Sequence, residues 1–195
     1  MSWDLKMIFS GLAIILTFVA FVPYVRSILQ GQTKPHVFSW IIWGTTTLIV
    51  FLAQLEAHGG VGAWPIGISG AITILIAVLA FIKRTDISIK PIDWVFFLAA
   101  LASIPIWFVT SDPLWAVVVL TLVDLLGFGP TIRKAYSSPH QENLPFFLLF
   151  LIRNLLVILA LESYSVTTVL FPASVALACL ALVLMVSYRK TVLSA

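Results

Sequence analysis

The sequence predicts an all-α integral membrane protein, with seven transmembrane helices forming two parallel three-helix bundles joined by a linker helix. Three observations lead there. Hydrophobic residues fill 61% of 195 positions and charged residues 10%, against about half and about a quarter in soluble domains. The apolar residues fall into seven runs of spanning length. A gapless internal repeat then relates the first three runs to the last three.

A hydrocarbon core of about 30 Å needs about 20 helical residues, and that length divides the chain into spans 7–28, 37–55, 64–82, 92–110, 114–135, 144–162 and 165–188. The first follows Lys6 as the apolar stretch of a signal peptide would, but its likeness to the fifth argues for retention. The second carries Trp40, Trp43 and a threonine run. The third and seventh have Pro65 and Pro172 near their starts, where proline is cheaper, so both read as structural. Gly67 and Gly70 in the third form a small-residue pair for close helix packing. The fourth span has no counterpart in the repeat. The fifth holds Asp124 and Pro130, and the sixth holds Arg153 and Asn154. Connections are short, leaving no soluble domain. The expected units are a first repeat over 1–84, a linker over 85–111 and a second repeat over 112–195.

The repeat rests on proline and basic positions, because apolar matches between apolar segments are cheap. At one spacing of 107 residues, Pro130 answers Pro23, Arg133 answers Arg26, Pro172 answers Pro65 and Lys190 answers Lys83. Phe128 likewise answers Phe21. Three spans is an odd number, so a directly joined second copy would insert upside down; the fourth span corrects this. Nine of the eleven basic residues fall at one set of ends, from Arg26 and Lys34 to Arg189 and Lys190, while Glu56, Asp112 and Glu162 mark the other. The positive-inside rule then puts the N-terminus outside and the C-terminus in the cytoplasm, in the cell (inner) membrane, with the two copies parallel.

Several classes are excluded. The excess charge of +3 punctuates apolar runs, which argues against nucleic acid as a partner. Cys179 is the single cysteine, so neither a disulfide nor a Cys-based metal site is expected. No HExxH and no nucleophilic serine elbow occur, and the seventh span lacks a Schiff-base lysine. The chain therefore reads as no enzyme, with no cofactor and no metal. The lipid bilayer and a small solute are its expected partners, and homo-oligomer formation is left open.

Ionisable groups inside a membrane default to a functional role. At 1.5 Å per residue, Asp124 lies roughly 15 Å in from one face and Arg153 roughly 14 Å in from the other. On helices adjacent in sequence, the two are expected to meet near the midplane and pair, directly or through water, beside a polar cavity between the triplets. At the repeat spacing, Asp124 answers Thr17, while Arg153 and Asn154 answer Thr46 and Thr47. A ring of Thr17, Thr46, Thr47, Asp124, Arg153 and Asn154, with Trp43 one turn away, is the expected substrate site; a buried structural ion pair with packing threonines is the alternative. Pro23 and Pro130 should each kink a first helix, as static bends or as hinges. Arg26 and Arg133 at the basic boundary either snorkel to headgroups or gate the site, pairing with an acid such as Glu142 or with a substrate anion. Trp3, Trp64, Trp94 and Trp115 read as interfacial anchors.

F-x-P-x-x-R near the cytoplasmic end of each first helix, within parallel 3+1+3 repeats, resembles the SWEET, SemiSWEET and PQ-loop group of membrane proteins. Pnu-type vitamin carriers and the KDEL receptor look similar in architecture. The resemblance implies hinge prolines, alternating access and a substrate between the triplets near the membrane centre. The PQ dipeptide itself is absent, since Tyr24 follows Pro23 and Thr131 follows Pro130. The third-helix asparagines of the sugar carriers have no counterpart in the third and seventh spans. A carrier for a small polar solute is therefore expected, sugar-like, vitamin-like or other; the alternative is a PQ-loop-like receptor or binding protein that does not transport.

Overall fold

The computed structural model describes residues 2–31, 35, 37–83, 91–137, 139 and 144–194, without the side chains of 93, 129–131, 133, 134, 137, 193 and 194. The elements are α1 (Trp3–Leu29), α2 (Val37–Glu56), a 3₁₀ turn (Gly60–Gly62), α3 (Trp64–Ile82), α4 (Pro91–Thr110), α5 (Pro113–Ser137), α6 (Leu144–Ala160) and α7 (Val166–Ser194). Among the described residues there is no strand. Each expected span is a helix. α1 and α7 run beyond their apolar windows because hydropathy marks only the part in hydrocarbon, and the backbone stays helical through the interface.

Among the described residues four segments are long and apolar enough to cross a membrane: α1, α2, Gly60–Ile82 and Val166–Val192. The apolar parts of α4, α5 and α6 are shorter. Burial is inverted relative to a water-soluble protein. Phe108 and Val109 are 80% and 86% exposed, whereas Thr46, Gln54, Ser103 and Asn154 are 0% exposed. A surface solvated by hydrocarbon requires this arrangement, and the chain is a membrane protein. Trp3, Trp64, Trp94 and Trp115 are all exposed and stand in the first turn or so of their helices.

α3 packs on both α1 and α2, and α7 packs on both α5 and α6; α1 meets α6, α2 meets α5, and α4 rests on α5 and α2. The pairings are thus matched, with α7 standing to α5 and α6 as α3 stands to α1 and α2. At the basic ends, Lys83 Nζ donates to the Leu29 carbonyl at 3.4 Å and Arg189 Nε to the Tyr136 carbonyl at 3.2 Å. Leu29 and Tyr136 are also 107 residues apart. Cations here meet the carbonyls that a helix C-terminus leaves open.

The opposite end is tied more closely. Val61 N donates to Glu162 Oε1 at 2.9 Å, Glu162 N to the Gly59 carbonyl at 3.1 Å, and Ser10 Oγ to the Val61 carbonyl at 2.6 Å. Gly60, at φ +61, has no space for a Cβ because the Glu162 carboxylate occupies it. Ser165 caps α7, its Oγ accepting from Thr168 N at 3.3 Å.

Pro65 is the second residue of α3, as expected, but Pro172 stands inside α7. The helix begins at Val166, a full turn and more before the proline. Lacking an N–H, Pro172 leaves the carbonyl four residues back, Thr168, without its helical donor. Gln54 Nε2 of α2 supplies one at 2.7 Å. The two residues should therefore be coupled. Replacing Gln54 with Met should cost about 1 kcal/mol less on a Pro172→Ala background than on the native one. Thermal unfolding of the four variants measures this, and strict additivity refutes the link.

Candidate functional site

A cavity of about 290 Å³ opens between the helices, with walls from every helix except α4. Its lining runs from the basic ends, with Phe21 and Tyr24 late in α1, Trp40 and Trp43 early in α2 and Phe146 and Phe147 at the start of α6, to Ser69 early in α3 and Phe171 early in α7. Half of the lining residues, nine of eighteen, are aromatic.

Arg153 anchors the inner end. It is 3% exposed, and its guanidinium reaches three neutral acceptors. Nε donates to Thr17 Oγ1 at 3.2 Å, Nη1 to Asn154 Oδ1 at 3.1 Å, and Nη2 to the Pro65 carbonyl. Each acceptor is held in turn. Thr17 donates its own hydroxyl proton to the Ala13 carbonyl at 2.8 Å, which aims a lone pair at the arginine. Asn154 Nδ2 donates to the Phe150 carbonyl at 2.8 Å, turning Oδ1 toward the guanidinium. Residues of α6, α1 and α3 thus share one buried cation.

Asp124 is half-buried and lines the same cavity. A direct ion pair between Asp124 and Arg153 is not formed: among the described residues Asp124 has neither a hydrogen bond nor a salt bridge. The reason is the helix order. α5 and α6 are consecutive in sequence, but α7 packs between them and presents Cys179 to the cavity. Trp43 lines the same cavity and lies against α5 one turn from Asp124, where a Cβ on Gly127 would sit 3.1 Å from Trp43 Nε1.

Of the seven expected substrate-site residues, Trp43, Thr47, Asp124, Arg153 and Asn154 line the cavity. Thr17 stands behind Arg153 as its acceptor. Thr46 is fully buried and donates to the Trp43 carbonyl of its own helix at 2.9 Å. α1 continues as helix across Pro23 and α5 across Pro130, although the Pro130 side chain lies outside the described residues. Arg26 is exposed and off the cavity wall. The Arg133 side chain and Glu142 are outside the described residues.

Most of the aromatic wall was missed by reasoning from single polar residues, yet the repeat contained it. Trp40 and Phe147, Trp43 and Phe150, Thr47 and Asn154, and Phe21 and Phe128 are each 107 residues apart, and all eight line the cavity. The rings are in mutual contact. Tyr24 stacks on Trp40 at 5.1 Å, Trp40 meets Trp43 edge-on at 5.6 Å, and Phe21 meets Phe150 at 5.5 Å between centroids. No family model matches the chain, and no curated protein or solved structure is significantly similar to it.

Proposed function

We propose that the chain is a carrier that moves a small polar solute by alternating access between two three-helix repeats, residues 1–84 and 112–195, joined by the linker over 85–111. The observation that carries this reading is the cavity wall, where four pairs of residues at the repeat spacing face one space. A ligand there would touch equivalent positions of both copies, as in carriers whose site lies at a repeat interface near the bilayer midplane. The helix pairings support the same division, since exchanging α1, α2 and α3 with α5, α6 and α7 turns each main interface into another. On the positive-inside reading the aromatic end of the cavity, at Tyr24, Trp40 and Phe146, lies toward the cytoplasm, and the Glu162 turn lies at the outer side. Pro23 and Pro130 serve as hinges in this scheme, with Arg26 and Arg133 at the cytoplasmic gate. The likeness to SWEET and PQ-loop proteins belongs to the same proposal.

Full-length protein in liposomes tests it with labelled sugars, vitamins, amino acids and amines. Saturable uptake of at least one of them is expected, lost in Thr73→Trp, which fills the cavity. A solute that binds yet never crosses would replace the carrier with a receptor.

A further inference from the structure

We propose that the solute is a small organic cation, held by Asp124 beside an aromatic cage of Trp43, Trp40 and Tyr24. The proposal rests on the cavity being the solute site and deepens that reading by naming a chemical class. Among the described residues two charged side chains border the cavity, and they are not equivalent. Arg153 is 3% exposed, with three of its five N–H groups already on neutral acceptors. Asp124 is half-buried and has no bond of its own among the described residues. The charge offered to a ligand is therefore negative.

The wall agrees with the charge. Ring faces carry negative potential and attract cations, most strongly for tryptophan. Trp43, Trp40 and Tyr24 form a continuous set of rings, and Gly127 lets the Trp43 indole close in one turn from the carboxylate. An uncharged polyol would need many hydrogen-bonding partners instead. The hydroxyl of Thr73, one of the few polar groups on the wall, already donates to the Ser69 carbonyl at 2.8 Å. At about 290 Å³ the cavity is at the small end of ligand pockets, which suits a compact monovalent head such as a quaternary ammonium or a pyridinium.

Binding of choline and N-methylpyridinium to the purified full-length protein tests the class, read by equilibrium radioligand binding and by quenching of tryptophan fluorescence. Saturable binding of at least one cation is expected. The uncharged tert-butyl isostere of choline should bind at least about tenfold more weakly. Asp124→Asn, which keeps the shape and removes the charge, should erase that preference without lowering the melting temperature, and Asp124→Glu should keep it. Equal affinity for the isostere, undiminished cation binding by Asp124→Asn, or absence of binding by both cations overturns the proposal. Tighter binding of glycine betaine overturns it too, because a zwitterion would engage Arg153 as well. Uptake of some other solute with no cation binding would leave the carrier reading intact and remove this one. Cation binding without flux would do the reverse.

Discussion

Gly62→Ala is expected to destabilise the protein by about 3 kcal/mol or more, at the upper end of what overpacking costs. A Cβ there would stand 2.6 Å from Leu161 N, 2.7 Å from Leu161 Cα and 2.8 Å from the Ala160 carbonyl carbon. These are backbone atoms of residues that are themselves 0% exposed, so no rotamer change relieves the clash. The turn over Gly60–Gly62 must back away from α6, and it carries the bonds from Ser10 and to Glu162. Gly11→Ala is the control, since nothing lies within 4 Å of its added Cβ and alanine favours a helix by up to about 1 kcal/mol. Thermal unfolding in detergent should separate the two variants clearly. Equal melting temperatures would mean that the turn does not rest on α6 in the membrane.

Arg153→Ala is expected to cost about 3–5 kcal/mol, because it strands acceptors on Thr17, Asn154 and Pro65, each worth about 1–3 kcal/mol when left buried and unpaired. Arg153→Lys should recover only part of the loss, a single ammonium being unable to span the three directions of a guanidinium. Asp124→Ala, in contrast, should change stability little. The two effects should add to within about 0.5 kcal/mol, as for residues without a shared partner. A double variant that regains native stability would show that the two charges pair after all.

That contrast marks what was legible in the sequence. Composition placed the helices, because lipid solvation demands long apolar runs and leaves few alternatives. That Asp124 and Arg153 border one space also followed, since both lie midway along their helices. Direct contact between them did not follow, because order in sequence says nothing of which helix slides between two neighbours. α7 does so, and Thr17 takes the place at Arg153 that had been assigned to Asp124. Thr46 was misplaced for a related reason, as its hydroxyl is satisfied one turn back along α2 and never reaches the cavity. The aromatic wall was written in the repeat at Trp40 and Phe147 and at Trp43 and Phe150. It was passed over because ring matches between apolar spans carry little statistical weight.

The clamp on Arg153 has a mechanical consequence. A charge buried among carbonyl and hydroxyl oxygens cannot lose them without a new source of solvation, so α6 is riveted to α1 and to the start of α3. Across the cavity, α2 meets α5 through apolar groups: Phe38, Ile42 and Val123 in one cluster, and the Trp43 indole over Gly127. Such surfaces slide at little cost, because no bond need break before another forms. A bundle built this way has one seam that is pinned and one that is lubricated. Any opening of the cavity would run along α2 and α5, the seam on which Asp124 stands.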